Sequence, residues 1–181
     1  MKLSRRTMLA WTGLIGVLAG CETTSEPSAG TTDPEGIQAD QVVYGARQNM
    51  STDGVRDAIL DADSLFMWQD SSHVHIEGLR LTVFSDNGTS RATITADRGR
   101  LSESSSELIA QGDVVLIIPD GDREIHSSEL RFAPDTDRIW TDSAVVMRSG
   151  NCTVQGTRMQ ADMSFEDVRV WGTSGQECDT G

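Results

Sequence analysis

Ala92-Thr93-Ile94-Thr95-Ala96-Asp97 decides the fold. Small or apolar residues alternate with polar ones at a period of two, which sets one face of a strand on a core and the other in water. The same pattern stands thirty-four residues upstream, at Ala58-x-Leu60-x-Ala62-Asp63. A second element also repeats. Leu108-Ile109-Ala110-Gln111-Gly112-Asp113-Val114-Val115-Leu116 is echoed thirty-one residues later by Ile139-Trp140-Thr141-Asp142-Ser143-Ala144-Val145-Val146-Met147. A weaker copy runs from Val74 to Leu81, and Ile125 and Val154 mark further starts. A unit of about 30 residues, too small to bury its own apolar face, must stack on its neighbours.

Turn chemistry punctuates the alternation. Asp53-Gly54, Asn87-Gly88 and Asp120-Gly121 are hairpin dipeptides, because Gly and Asn accept positive φ. Ala133 to Asp137 and Ser149-Gly150-Asn151 read as further turns. From about Gln41 to Trp171 no capped helical period occurs, so the body is expected to be all-β with about 11–16 strands.

The first residues read as an address. Lys2, Arg5 and Arg6 precede an apolar run from Met8 to Leu18, about the length of a signal peptide and short for a membrane span. The run ends in Leu18-Ala19-Gly20-Cys21, which resembles the lipobox of bacterial lipoproteins. Residues 1–20 are therefore expected to be a signal peptide, with Cys21 lipidated and 21–40 a tether rich in Ser, Thr, Gly, Pro and Glu. Ser4 to Leu9 also resembles a twin-arginine export signal, and the choice of export route stays open. Nineteen residues of coil span about 24 Å, enough to lift a domain off the headgroups. The domain itself is expected at 41–172, followed by a polar tail at 173–181.

Charge narrows the partners. The chain has 15 basic and 28 acidic residues. Cleavage before Cys21 removes three basic residues and no acidic ones, leaving 12 against 28. Such acidity excludes nucleic acid, whose phosphates need a basic face. Outside the cytoplasm Cys152 and Cys178 stand either as a disulfide or as two free thiols.

An ordered series of segments resembles the LptC family across roughly residues 50–171. The series is Phe84-Ser85-Asp86-Asn87-Gly88, Thr95 to Leu101, Glu107-Leu108-x-Ala110-x-Gly112-Asp113-Val114-Val115, Pro119-Asp120-Gly121, and Ser128-Glu129-Leu130-Arg131-Phe132-x-Pro134-x-Thr136-x-Arg138-Ile139. LptC is the periplasmic component of the lipopolysaccharide ABC exporter and shares its fold with LptA. The resemblance implies a twisted, elongated β-jellyroll of two facing antiparallel sheets. It also implies partners: lipopolysaccharide, an inner-membrane ABC exporter that supplies it, and an LptA-like protein that joins by edge-strand pairing. One departure is plain. LptC is often held by a transmembrane helix, whereas this chain carries a lipobox. The expectation is a periplasmic lipoprotein held at the inner membrane.

An apolar slot binds acyl chains without direction, at about 25 cal/mol per Å² buried. The residues expected to line it are Leu79, Leu81, Val83, Ile94, Val114, Leu116, Leu130, Phe132, Val145, Met147, Val154 and Met159. Each could equally be core filling. The facing stays open where both faces are apolar, as in Val114-Val115-Leu116-Ile117-Ile118, because a slip of one residue exchanges the faces.

Chemistry is otherwise sparse. His73, His75 and Glu77 share one strand face and could hold a metal, although a solvated face explains them as well. No GxSxG, HExxH, P-loop or CxxC occurs. No cofactor, metal or catalysis is expected. Two alternatives to lipid transport stand: a structural adaptor lipoprotein that assembles without carrying lipid, and a metal enzyme built on His73 and His75. Trp68, Trp140 and Trp171 are candidate rim or interface residues, and Arg80, Arg91, Arg98 and Arg100 candidate phosphate contacts.

Overall fold

A computed structural model describes residues 31–32, 38–52, 54–85 and 87–178. The expected signal peptide, Cys21 and most of the tether lie outside these residues. Five long strands follow one another as antiparallel neighbours: β3 (Gln41–Thr52), β4 (Val55–Met67), β5 (His73–Phe84), β6 (Ser90–Ser102) and β7 (Leu108–Ile118). A sixth, β8 (Arg123–Ala133), continues the series. Gly54, Gly88 and Gly121 sit in the connecting turns with φ of 83°, 81° and 79°, the backbone that the dipeptides predict.

At β8 the sheet forks. Its first half pairs with β10 (Val145–Ser149), which leads to β11 (Cys152–Gly156) and β14 (Ser174–Cys178). Its second half pairs with β9 (Arg138–Thr141), which leads to β12 (Arg158–Ala161) and β13 (Val168–Trp171). A short 3-10 turn at Pro134–Thr136 joins β8 to β9. The result is one 12-stranded sheet. Apart from it, β1 (Thr31–Thr32) pairs with β2 (Gln38–Ala39) within the expected tether.

The two expected faces are two halves of this one sheet, joined by strands that run through both. A crease divides them. Gly45, Gly78 and Gly112 fall in β3, β5 and β7 with φ of 60°, 64° and 76°. Between them Asp63 of β4 lies against Gly78, and Asp97 of β6 against Gly112. The ladder loses its pairs here, and β7 carries an extra residue between Gln111 and Val114. The left-handed Gly78 breaks the alternation of side chains in β5, and the interrupted register alongside it does so in β4 and β6. Buried positions accordingly step by three rather than two, from Ala62 to Leu65, Ile76 to Leu79 and Ala96 to Gly99.

Both halves turn their apolar faces onto a single core. They are tied where Arg123 donates to the Phe165 carbonyl at 2.9 Å and where β3 touches the Pro134–Thr136 turn. This is an all-β jellyroll, with fourteen strands among the described residues, β1 and β2 included.

The polar segment set apart as a tail is instead largely a strand. Cys178 faces Cys152 across the ladder, and a disulfide joins them. All five residues of β14 are exposed, so the segment is polar because it is an edge with neither face covered.

Candidate functional site

The interior is well filled. Of the twelve residues expected to line a slot, ten are buried: Leu79, Leu81, Val83, Ile94, Val114, Leu116, Leu130, Phe132, Val145 and Met159. Val114, Leu116 and Ile118 point inward, while Ile117 is 46% exposed. The two remaining positions differ in burial. Met147 and Val154 face each other on β10 and β11 and are only half-buried. The reason is local. They sit on the branch that ends in the uncovered β14, so little of the opposite layer reaches them; Met147 still packs on the core margin.

Among the described residues, the core opens toward solvent at a mouth beside β3. A cavity of about 350 Å³ opens between the second half of β3 and the ends of β4, β5 and β6. Its apolar floor is Met50, Leu65, Met67, Val74 and Leu101, and its rim includes Gln48, Ser51, Ser102 and Glu103. Among large buried apolar side chains, Leu65 (9%), Val74 (7%), Met50 and Leu101 (5% each) keep the most exposure. Val74 and Leu101 are cross-strand partners. None of the floor residues is among the twelve expected from sequence. The available signal was apolar residues at strand ends, where a closed sandwich needs polar ones.

The histidine face holds other contacts. The Ser72 hydroxyl meets His73 Nδ1 at 3.2 Å, and His75 lies edge-on to Trp68 with centroids 4.9 Å apart. His126, from β8, is bound to Glu124. Among the described residues no three His, Cys, Asp or Glu side chains gather as a metal site.

Burial first, then the nearby Arg100 and His73, holds the His75 pKa below its ordinary value. The unfolded chain therefore binds more protons as pH falls below about 6.5, and folded stability falls with it. A thermal melt at pH 5 should lie below one at pH 7.5. His75→Gln should recover part of that loss, on the order of 1–2 °C because the ring still reaches water.

The arginines and tryptophans divide. Arg80 lines an open groove along the crease with Asp61 and Asp63. Arg98 stands opposite Glu77 and Gln111, and Arg100 opposite His75. Trp68 donates its indole N–H to the Gln38 carbonyl at 2.7 Å. Arg138 covers Trp140, and Arg158 covers Trp171, each at 4.5 Å. These surface stacks and the mouth share no lining residue.

A family model described as lipopolysaccharide-assembly, LptC-related, matches residues 10–172. The chain belongs to this family. The match runs nearly the whole length, beyond the segments that carry the resemblance in sequence. This LptC-related chain is also similar to a solved structure, LptH from Pseudomonas aeruginosa, described as the LptA homologous periplasmic component of the conserved lipopolysaccharide transport device. The two share 12% identity with a TM-score of 0.49, over 62% of this chain and 80% of that one. No curated protein matches the sequence. Among the described residues of the LptC-related chain, no helix is long and apolar enough to cross a membrane.

Proposed function

We propose that this LptC-related protein receives lipopolysaccharide from an inner-membrane ABC exporter and passes it to an LptA-like partner, holding the acyl chains between its two layers. The observation that carries this reading is the mouth, where large apolar side chains of the core keep some exposure to solvent. Each methylene buried contributes about 0.8 kcal/mol, so several acyl carbons suffice for binding without directional contacts. The interior is filled at rest, and loading must part the layers. The crease, where the ladder loses its pairs, is the feature that permits it. Handover then needs no catalysis, only a partner slot of comparable affinity.

Among the described residues the ladder ends at β3, β13 and β14. Such edges are the means by which a partner strand extends the sheet. Cys21 would anchor the protein by lipid, with 21–40 as the tether, in the periplasm at the inner membrane.

The filled core also favours a second reading, an adaptor that assembles edge to edge and carries no lipid. Plugging the mouth separates the two. Gln48 and Ser51 are exposed on β3 at the rim, and strands accept Trp. In detergent-solubilised full-length protein, Gln48→Trp with Ser51→Trp should weaken equilibrium binding of fluorescent lipopolysaccharide about tenfold or more, while Tm stays within about 2 °C. Binding equal to wild type would refute entry at this mouth. No binding by the wild type would favour the adaptor.

A further inference from the structure

A second cavity, about 580 Å³, lies where the strand tips of β4, β5 and β6 meet the Pro134–Thr136 turn and the β12–β13 loop. It shares no lining residue with the mouth. Its lining mixes polar groups with the apolar Phe84, Pro134 and Met163. Asp57, Arg91, Asn87 and Asp137 line it, with Phe84 as the aromatic wall.

Two of its atoms stand out. Asp57 Oδ2 and Arg91 Nε are both buried and both lack a hydrogen-bond partner. Native proteins rarely leave such atoms unmatched, because desolvation without a partner is costly. An aspartate and an arginine lining one cavity would ordinarily pair, yet no ion pair joins these two. The neighbouring groups are already committed. Asn87 Oδ1 accepts from the Thr89 amide at 3.0 Å and from the Ser85 hydroxyl at 2.6 Å. Asp137 Oδ1 accepts from the Met163 amide at 3.0 Å. These bonds fix the loops around the cavity, while the acceptor Asp57 Oδ2 and the donor Arg91 Nε stay without a partner.

The missing ligand must give a hydrogen bond to Asp57 and take one from Arg91. Two carboxylates against one guanidinium within the lining disfavour a phosphate. A hydroxyl does both jobs without charge, and neighbouring hydroxyls on a ring do them in two directions. Phe84, whose ring carries the Arg56 guanidinium at 4.5 Å, supplies an apolar wall for ring C–H groups. We propose that this cavity is a saccharide subsite, in which the hydroxyls of a sugar ring bridge Asp57 and Arg91. This rests on the proposed function in one respect: it takes the sugar to belong to the same glycolipid whose acyl chains enter at the mouth.

The test uses detergent-solubilised full-length protein and three probes: the delipidated oligosaccharide released from lipopolysaccharide, maltotetraose, and lipid A. Calorimetry should show that the oligosaccharide binds the wild type. Asp57→Asn and Arg91→Gln, each melting like wild type, should weaken it about tenfold or more, since a charged hydrogen bond is lost in each. In wild-type protein, which avoids any folding question, the Arg91 Nε resonance should shift during the oligosaccharide titration. Maltotetraose binding with the same sensitivity to the variants would support a saccharide site open to other glycans. Absence of binding by both glycans, or an unmoved Arg91 resonance, would overturn the proposal and assign the cavity to water. Lipid A reports separately. If it fails to bind while the oligosaccharide binds, the acyl-slot reading fails and the saccharide site stands.

Discussion

Phe132→Ala is expected to lower the unfolding free energy by about 3–5 kcal/mol, the range for deleting a buried aromatic ring. Phe132 is 1% exposed and sits on β8 between Leu108 of β7 and Ile139 of β9. All three are buried, so the hole cannot collapse onto water-facing side chains. A domain of this size holds about 5–15 kcal/mol in total, and the substitution removes a large share of it. Met147→Ala, at the half-buried margin, should cost about 1 kcal/mol. Urea titration of both variants checks the difference. A Phe132→Ala cost near that of Met147→Ala would mean that the interior is an open channel at rest, not the filled core described above.

Gly78→Val should destabilise by about 2–4 kcal/mol. The left-handed backbone at φ 64° is strained for any residue with a Cβ and worst for a branched one. A Cβ at Gly78 would also fall on the Asp63 carboxylate. Gly45→Val separates the two terms. Its φ is 60°, yet nothing lies within 4 Å of a built Cβ. That variant should show the backbone cost alone, about 1–3 kcal/mol. Adding Asp63→Ala to Gly78→Val should recover the difference between them, and would leave Gly45→Val unchanged. Equal costs at the two glycines would remove the close packing of Asp63 from the account of the crease.

These two substitutions touch what the sequence revealed and what it hid. Alternation around Ile94 and the Asn-Gly and Asp-Gly turns were enough for strands and hairpins. The repeat of Ala-Asp at 62–63 and 96–97 was visible too, but not its meaning. Those aspartates lie against glycines fifteen residues onward, Gly78 and Gly112, where the sheet creases. Alternation extended back from Leu79, Leu81 and Val83 would turn His73, His75 and Glu77 inward. The crease resets the count, and Val74 and Ile76 are buried instead.

The mouth was illegible for a different reason. Met50, Leu65, Met67, Val74 and Leu101 come from four strands, and only the way the second half of β3 meets the ends of β4 to β6 brings them together. Met147 and Val154 are half-buried because the fork at β8, invisible in a linear pattern, carries them toward an edge. Cys152 and Cys178 were identifiable only as a pair that could bond. Their partnership follows from β14 returning to β11.

The measurement closest to the central claim is photo-crosslinking in cells making lipopolysaccharide. A benzophenone amino acid is placed at Met67, half-buried in the floor of the mouth, and in a separate variant at Ile117, which faces outward. Lipid passage between the layers predicts a lipopolysaccharide adduct from position 67 and none from position 117. Adducts of equal yield at both positions, or at 117 alone, would contradict it.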